Sequence, residues 1–163
     1  RFQENIEDNS FYKIIKSYIK IGAFPSNENM VYDFTFVDYL SKAITLLYDR
    51  NELKNETYHI FNSKMVTITY LGEVISEVIQ GIEVVEFDKF IKRLKEKYDL
   101  KELREYIENI LFNYSSVFNE STSFKVISDK TELILRKLGF EWSDVTKKNI
   151  TDMINYCIKR EYI

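Results

Sequence analysis

Glycine is scarce in this chain of 163 residues, which has only four, at positions 22, 72, 81 and 139. A G-x-G-x-x-G dinucleotide turn and a phosphate-binding loop both need closely spaced glycines, because the backbone must approach a phosphate closely. The wide spacing here excludes both motifs. We therefore expect no nucleotide to be held by this chain through those means.

Histidine and cysteine each occur once, as His59 and Cys157. One of each cannot build a structural zinc site, and no second histidine is available for a proton relay, so no metal site is expected. Cys157 has no partner for an internal disulfide and recurs on the apolar side of a helical pattern, which predicts a buried thiol. His59 lies in a strand-like pattern and is predicted to be a packed or half-exposed structural residue.

An excess of positive charge and long apolar runs are also missing. The net charge is −3, which argues against a nucleic-acid partner, since phosphate neutralisation needs a basic face. No apolar run of about 18 residues could span a bilayer, and the beginning does not resemble a signal peptide. The sequence thus predicts a soluble, cytoplasmic protein without a membrane partner. Because it starts with Arg1, the chain is expected to begin inside a longer product.

Apolar residues make up 45% of the chain and include twelve Tyr and twelve Phe, enough for a substantial core. Apolar side chains recur at helical spacing from Phe11 to Ile19 and again from Ile150 to Ile158. The complete pattern predicts about seven helices and two or three short strands. We expect a predominantly helical α+β fold and a single domain over residues 1–163.

Several individual elements follow from the pattern. A second helix is predicted to turn Leu40, Ala43, Ile44 and Leu47 inward and to end near Asp49. Residues 57–62 (TYHIFN) alternate and are rich in β-formers, so they are the best strand candidate, and residues 82–87 are another. Thr67 is expected to cap the helix between these strands. Residues 113–123, rich in Asn, Ser and Thr, are predicted to form a loop.

Two local patterns carry possible chemistry. Tyr12-x-x-x-Lys16 fits the pairing of a phenolic acid with a lysine, but both residue types are abundant and no nucleotide-binding sheet precedes them, which favours a structural role. Basic residues also crowd one helix at Lys89, Lys92, Arg93, Lys95 and Lys97. They are interleaved with acidic residues, so either a solvated face or a docking surface for an acidic protein can explain them.

Three ordered groups of segments resemble the thioester reductase domains that end nonribosomal peptide and polyketide assembly lines, within the extended short-chain dehydrogenase/reductase superfamily. The first group is residues 1–7 (RFQENIE) with Asn9, Phe11 and Tyr12, then 21–25 (IGAFP). The second is 33–39 (DFTFVDY), 42–44 (KAI) and 57–62 (TYHIFN). The third is 138–142 (LGFEW) with Ile150, Met153, Tyr156, Tyr162 and Ile163. One departure is Phe36, where the family usually has proline.

The resemblance implies that this chain is the C-terminal, substrate-side subdomain of such a reductase, with the Rossmann half absent. The glycine-rich cofactor turn and the catalytic Thr/Ser, Tyr and Lys of the family would lie before Arg1, so no catalytic residue is assigned here. The parent enzyme would use NADPH to reduce a thioester on the phosphopantetheine arm of an acyl or peptidyl carrier protein, releasing an aldehyde or alcohol. This chain alone is expected to bind no cofactor and to be inactive.

The resemblance further implies partners and sites. The upstream nucleotide-binding half and the carrier protein are expected partners, and exposed apolar surface could also support a dimer. Residues expected to line the substrate channel are Phe24, Pro25, Phe34, Thr35, Phe36 and Tyr39, although these aromatics could simply be core. Residues expected to dock the carrier protein are Lys92, Arg93, Lys95 and Lys97. A free-standing helical module that binds a carrier protein, and the C-terminal portion of a sugar-nucleotide epimerase, remain the alternatives.

Overall fold

The computed structural model describes residues 4–53, 55–118 and 127–163. Residues 1–3 of the first resembling segment lie outside this part. The described residues form seven α-helices, which are α1 (Ser10–Ile21), α2 (Val37–Tyr48), α3 (Ile68–Val78), α4 (Phe87–Lys97), α5 (Arg104–Phe118), α6 (Asp129–Lys137) and α7 (Lys147–Lys159). Four short strands accompany them, β1 (Ala23–Ser26), β2 (Val31–Tyr32), β3 (Val66–Thr67) and β4 (Glu83–Glu86). The predicted helical α+β class is confirmed.

The chain divides into two compact units. The first contains residues 1–30, 67–123 and 146–163, and the second contains residues 31–66 and 124–145. Each unit therefore gathers segments that are distant in sequence. The expectation of one domain over residues 1–163 stays a prediction.

In the first unit, β1 and β4 pair in parallel, with Ala23 opposite Glu83 and Ser26 opposite Glu86. Parallel neighbours need a crossover connection, and α3 is part of the chain that joins these two strands. Beside them, the fully buried ring of Tyr18 stacks on Phe24 with centroids 4.8 Å apart. Aromatic packing of this kind is what the many Tyr and Phe residues supply.

Side-chain caps define where three of the helices begin. The side chain of Asn9 accepts hydrogen bonds from the backbone N–H groups of Phe11 and Tyr12 at the start of α1. Thr67 accepts from the N–H of Tyr70 at the start of α3, as the sequence predicted. At α7, Thr146 and Asn149 form a reciprocal capping box. Such caps satisfy N–H groups that have no partner within the helix.

The second unit has its own core between α2, α6 and the segment after α6. Its buried members are Ala43, Leu47, Leu135, Phe140 and Trp142. The rings of Phe140 and Trp142 meet edge to face, with centroids 5.0 Å apart. Phe140 and Trp142, which follow α6, are therefore part of this core and pack with the buried residues of α2. β2 and β3 form a separate two-stranded sheet.

Three local predictions need correction. Ile44 is 48% exposed, because the side of α2 that enters the core is the one that carries Ala43 and Leu47. Residues 57–62 form no strand, because none of the described residues offers them a strand partner. His59 is exposed, which agrees with the half-exposed alternative of its prediction. α5 continues to Phe118, so residues 113–118 are helical and not a loop, while residues 119–123 lie outside the described part.

Candidate functional site

Asn62 is a buried polar residue that organises the aromatic segment, defined here as residues 33–39. Its side-chain amide donates to the backbone carbonyl oxygens of Phe34 at 3.0 Å and Ser143 at 3.1 Å. Its backbone N–H donates to the Thr35 hydroxyl at 2.9 Å, and its Oδ1 accepts the N–H of Lys64 at 3.0 Å. With every part of the amide engaged, Asn62 joins three separate chain segments of the second unit.

The side chains of the aromatic segment are held at the border between core and solvent. Phe34, Thr35, Phe36 and Tyr39 are each half-buried. Tyr39 meets Phe140 edge to face, with a centroid distance of 6.2 Å. Phe36 precedes α2 with φ −69° and ψ 133°, and this φ is the value that proline imposes. The Phe for Pro departure therefore leaves the backbone at the start of α2 in the shape that proline would give.

The other two residues expected to contact substrate, Phe24 and Pro25, lie on β1 in the first unit. Both side chains are buried, and Phe24 is in contact with the Tyr18 ring and with Gly72 of α3. Their visible role is packing within that unit. The six expected substrate-binding residues thus fall in two units, and their common role stays a prediction.

The basic residues of α4 divide into two kinds. The Lys97 ammonium donates to the carbonyl oxygen of Ile21 at 2.8 Å, and the Arg93 guanidinium donates to that of Gly22 at 3.1 Å. These carbonyls end α1, where a cation also meets the negative end of the helix dipole. Arg93 additionally pairs with Glu83 at 2.6 Å, which lowers the pKa of that carboxyl through the hydrogen bond and the charge.

The remaining basic residues expected to dock a carrier protein, Lys92 and Lys95, are exposed. Lys92 lies 3.8 Å from Glu96 in a solvated pair, which contributes little to stability. Among the four residues of the expected docking surface, Lys92 and Lys95 are therefore more accessible than Arg93 and Lys97. The docking role itself stays a prediction.

An apolar groove runs along α2 in the second unit, and sequence reasoning did not identify it. It encloses about 480 Å³ and is lined by Ile44, Leu47, Tyr48, Leu53, Asn55, Glu56, Tyr58 and Ile60. Ile44, Leu47 and Tyr48 are spaced as neighbours on one side of a helix. The apolar stripe that they form is wider than a single core contact would cover, and this was the signal available in the sequence. We call this feature the α2 groove.

Polar contacts fix the far wall of the α2 groove. The Tyr58 hydroxyl donates to the carbonyl oxygen of Leu53 at 2.9 Å. The Lys130 ammonium bonds Glu56 at 2.6 Å, which raises the pKa of Lys130, and it lies 5.9 Å from the centre of the Tyr58 ring. These contacts hold the wall of the groove in place, although residues 55–60 contain no regular strand.

The Tyr12 and Lys16 pair is used structurally. The Lys16 ammonium lies over the Tyr162 ring, 4.2 Å from its centroid. Tyr12 is buried, and desolvation, followed by the proximity of Cys157, raises its pKa to about 12. A phenol with this pKa is a weak proton donor, so a structural role fits best. Cys157 is buried as predicted, and desolvation raises its pKa to about 11.

The residues present do not fit a dinucleotide cofactor. Gly22 ends α1, Gly72 lies inside α3 against Phe24, and Gly81 and Gly139 follow helix ends. None stands in the turn between a strand and the beginning of a helix, where a pyrophosphate is bound. Among the described residues, no three His, Cys, Asp or Glu side chains come together as a metal site. No helix within the described ranges has the length and apolar character needed to cross a membrane.

Comparison with solved structures identifies the fold. The chain is similar to a thiolation-reductase di-domain from an archaeal non-ribosomal peptide synthetase, with a TM-score of 0.78 and 26% identity. It is also similar to the terminal R domain from the myxalamid PKS-NRPS biosynthetic pathway and to the aureusimine biosynthetic cluster reductase domain, each with a TM-score of 0.70 and 21% identity. No protein-family model and no curated protein matches the chain.

The match covers nearly all of this chain but a minor part of the others. It includes 99%, 96% and 99% of this chain and 33%, 39% and 41% of those structures, in the same order. The chain therefore spans about a third to two fifths of the length of the reductase structures that it matches. The resemblance predicted from the sequence, to a C-terminal portion of a terminal reductase domain, is confirmed.

Proposed function

We propose that this chain is the substrate-side portion of an NADPH-dependent thioester reductase, which releases an acyl or peptidyl group from a carrier protein as an aldehyde or alcohol. The observation that carries the proposal is the structural match over 99% of the chain to part of a thiolation-reductase di-domain at 26% identity. The ordered sequence segments support it independently, because they run from residue 1 to residue 163 in the family's order.

In this proposal the chain acts only with a nucleotide-binding half. The residues present form no dinucleotide turn, and the chain spans 33–41% of the matched reductases. Hydride transfer needs the nicotinamide and the thioester carbon to be oriented together, and binding one partner alone does not accelerate the chemistry. The contribution of this chain is to hold the acyl or peptidyl group.

The aromatic segment is the part of the chain best suited to that task. Phe34, Phe36 and Tyr39 present half-buried rings, and Asn62 holds the backbone beneath them. Rings at the border of the core can cover an apolar acyl chain without losing their own packing. Phe24 and Pro25 are assigned to the same channel in the intact enzyme, on the strength of the family resemblance.

Docking of the carrier protein is assigned to α4. An acidic carrier protein is attracted to a positive surface. The exposed cations Lys92 and Lys95 supply such a surface. Arg93 and Lys97 contribute to the same face while also binding the last carbonyls of α1. The two exposed lysines should therefore affect carrier binding without affecting the fold.

The decisive experiment compares this chain with the intact parent protein. NADPH oxidation is followed in the presence of a carrier-bound thioester, and we expect turnover by the parent and none by the 163-residue chain. Calorimetry should show no NADPH binding to the chain alone. Turnover or tight NADPH binding by the isolated chain would overturn the assignment of the active site to the missing half.

A second experiment addresses the aromatic segment. Phe36→Ala and Tyr39→Ala in the parent should lower kcat/KM by about tenfold or more, with an effect that grows with acyl length, since each buried methylene contributes about 0.8 kcal/mol. Tyr70→Ala, which removes an exposed aromatic residue of α3, is the matched control. Unchanged turnover of both variants for every acyl length would contradict a channel at this segment.

A further inference from the structure

Another cavity, of about 630 Å³, lies in the second unit and shares no lining residue with the α2 groove. Phe61, Met65 and Ile127 supply its apolar lining, and two serines and two aspartates supply its polar lining. Met65 is 44% exposed and Ile127 is 61% exposed, so the cavity offers open apolar surface. Apolar surface with a few convergent polar groups is typical of sites that bind small organic groups. We call this feature the Ser128 cavity.

Ser128 lines this cavity with a buried hydroxyl that has no partner in the described part of the chain. The residue is only 8% exposed and immediately precedes α6, yet its side chain accepts no capping hydrogen bond from that helix. It makes no other side-chain hydrogen bond to a described residue. Buried hydroxyls are hydrogen-bonded in most proteins, because an unpaired one costs free energy. The Ser128 hydroxyl therefore points to a polar group bound in the cavity.

Asp33 and Asp129 give the Ser128 cavity a negative charge. Both carboxylates line it, no lysine or arginine among the described residues does, and neither carboxylate forms an ion pair within the described ranges. Lys64 and Lys130, which neighbour lining residues in the sequence, pair with other carboxylates at 2.8 Å and 2.6 Å. A concave surface lined by one sign of charge attracts the opposite charge. The ligand that fits best is therefore a cation that can also donate a hydrogen bond to a hydroxyl.

The Ser128 cavity adjoins the aromatic segment, and Asn62 holds both. Phe61 and Ser63 flank Asn62, whose hydrogen bonds fix the chain between them. Asp33 is the first residue of the aromatic segment, and its carboxylate accepts the Thr35 hydroxyl at 3.5 Å. The cavity therefore begins where the segment proposed to cover the acyl chain begins.

We propose that the Ser128 cavity binds a protonated amine carried by the acyl or peptidyl group of the substrate. The carboxylates of Asp33 and Asp129 balance its charge, and the Ser128 hydroxyl accepts a hydrogen bond from it. A primary ammonium suits this lining, since it is a compact charge with three donors and no acceptor. The inference rests on the proposed function and names a substrate class that the proposed function leaves open.

Substrate preference of the parent reductase tests the proposal directly. A series of carrier-bound ω-aminoacyl thioesters of increasing length is compared with unsubstituted acyl thioesters that have the same number of chain atoms. For the chain length that reaches the cavity, we expect kcat/KM to be at least about tenfold higher with the amine, because hydrogen bonds to charged groups are the strong ones. The advantage should shrink at high salt. A series in which no aminoacyl thioester is preferred would overturn the proposal.

Two variants of the parent locate the preference in the cavity. Ser128→Ala, and Asp33→Asn combined with Asp129→Asn, should each lower kcat/KM for the preferred aminoacyl thioester about fivefold or more and change that of its neutral counterpart less than about twofold. Ser128→Ala should also leave the thermal midpoint unchanged within about 1 °C, because the hydroxyl has no partner to lose among the described residues. Asp49→Asn, which removes an exposed carboxylate of the same unit outside the cavity, is the control. A retained preference, or equal losses with both thioesters, would refute the amine site.

The two proposals fail in different ways. Amides of the same acyl groups on pantetheine, which cannot be reduced as thioesters are, can be titrated into the parent in a calorimeter. If the aminoacyl amides bind more tightly than the neutral ones but no thioester is reduced, the proposed function is wrong and the amine site stands. If thioesters are reduced without any preference for an amine in kcat/KM or in binding, the function stands and the amine site is wrong.

Discussion

Gly72 of α3 lies against Phe24 of β1 so closely that a Cβ added at Gly72 would be 2.6 Å from the Phe24 Cβ. The Cβ is attached directly to the backbone, so no change of side-chain rotamer can relieve the contact. α3 can therefore pack this closely on the β1–β4 pair only because residue 72 has no side chain.

Gly72→Ala should consequently destabilise the protein. Alanine favours a helix over glycine by about 1 kcal/mol, but overpacking a close contact costs about 1–3 kcal/mol, and the added methyl would also be 2.9 Å from Val84. The difference gives a net loss of up to about 2 kcal/mol, which urea denaturation would measure. Glu73→Ala, at an exposed position of the same helix, should change the free energy of unfolding by less than about 0.5 kcal/mol. A more stable Gly72→Ala protein would show that α3 can move away from β1.

Asn62→Ala should destabilise the second unit by about 2–3 kcal/mol. The substitution removes three hydrogen bonds, those to the carbonyls of Phe34 and Ser143 and that from the N–H of Lys64, and a hydrogen bond contributes about 0.5–1.5 kcal/mol net. Urea denaturation followed by Trp142 fluorescence would report the loss, since Trp142 is buried in that unit. The exposed Asn29→Ala variant is the control. A midpoint equal to that of the control would mean that water replaces the amide without cost.

Lys97→Met and Lys95→Met should separate the structural from the docking cations of α4. Lys97→Met removes the donor to the Ile21 carbonyl and should cost about 1 kcal/mol of stability. Lys95→Met removes an exposed charge and should leave stability unchanged within about 0.5 kcal/mol. In the parent, Lys95→Met should raise KM for the carrier protein about two- to fivefold at low salt, with little change at high salt. A salt-independent effect would exclude electrostatic docking at this position.

Alkaline pH should weaken the fold through Cys157 and Tyr12. Burial raises the pKa of Cys157 from 9.0 to about 11 and that of Tyr12 from 10.0 to about 12. In this range the unfolded chain loses protons that the folded chain retains, so stability is fully present below about pH 9 and falls as the pH rises toward 12. Thermal midpoints measured from pH 8 to pH 12 should show this decline.

Two variants identify the groups responsible for that decline. Cys157→Ala should flatten the fall between about pH 9 and 11, and Tyr12→Phe should flatten it between about pH 10 and 12, whatever their effect on the midpoint at pH 8. An unaltered slope in both variants would assign the alkaline loss to other groups.

Local sequence signals were sufficient for most of the helices. The spacing of apolar residues located α1 and α7. Helix caps such as Thr67 are also local signals, because the hydrogen bond that the cap accepts comes from an N–H only two or three residues further along the chain. The burial of Cys157 followed in the same way, because a helical stripe determines which residues face a core. The family resemblance came from short motifs in order, and the structural match confirmed it.

Features that depend on distant segments were not accessible in this way. Residues 57–62 carry a strand pattern, but a strand exists only when another strand pairs with it, and no such partner is found among the described residues. The exposure of Ile44 depends on how far the core of the second unit extends around α2. The role of Asn62 depends on Ser143, 81 residues away in sequence.

The sequence by itself determined the helices, the lack of a dinucleotide turn and the kind of reductase that this chain resembles, because each depends on residues within a few positions of one another or on motif order. The tertiary structure alone decided which cations of α4 bind the end of α1, which amide holds the aromatic segment, and where apolar surface remains open along α2. Those outcomes arise from contacts between segments far apart in the chain, where burial and hydrogen bonding are settled only once the packing is complete.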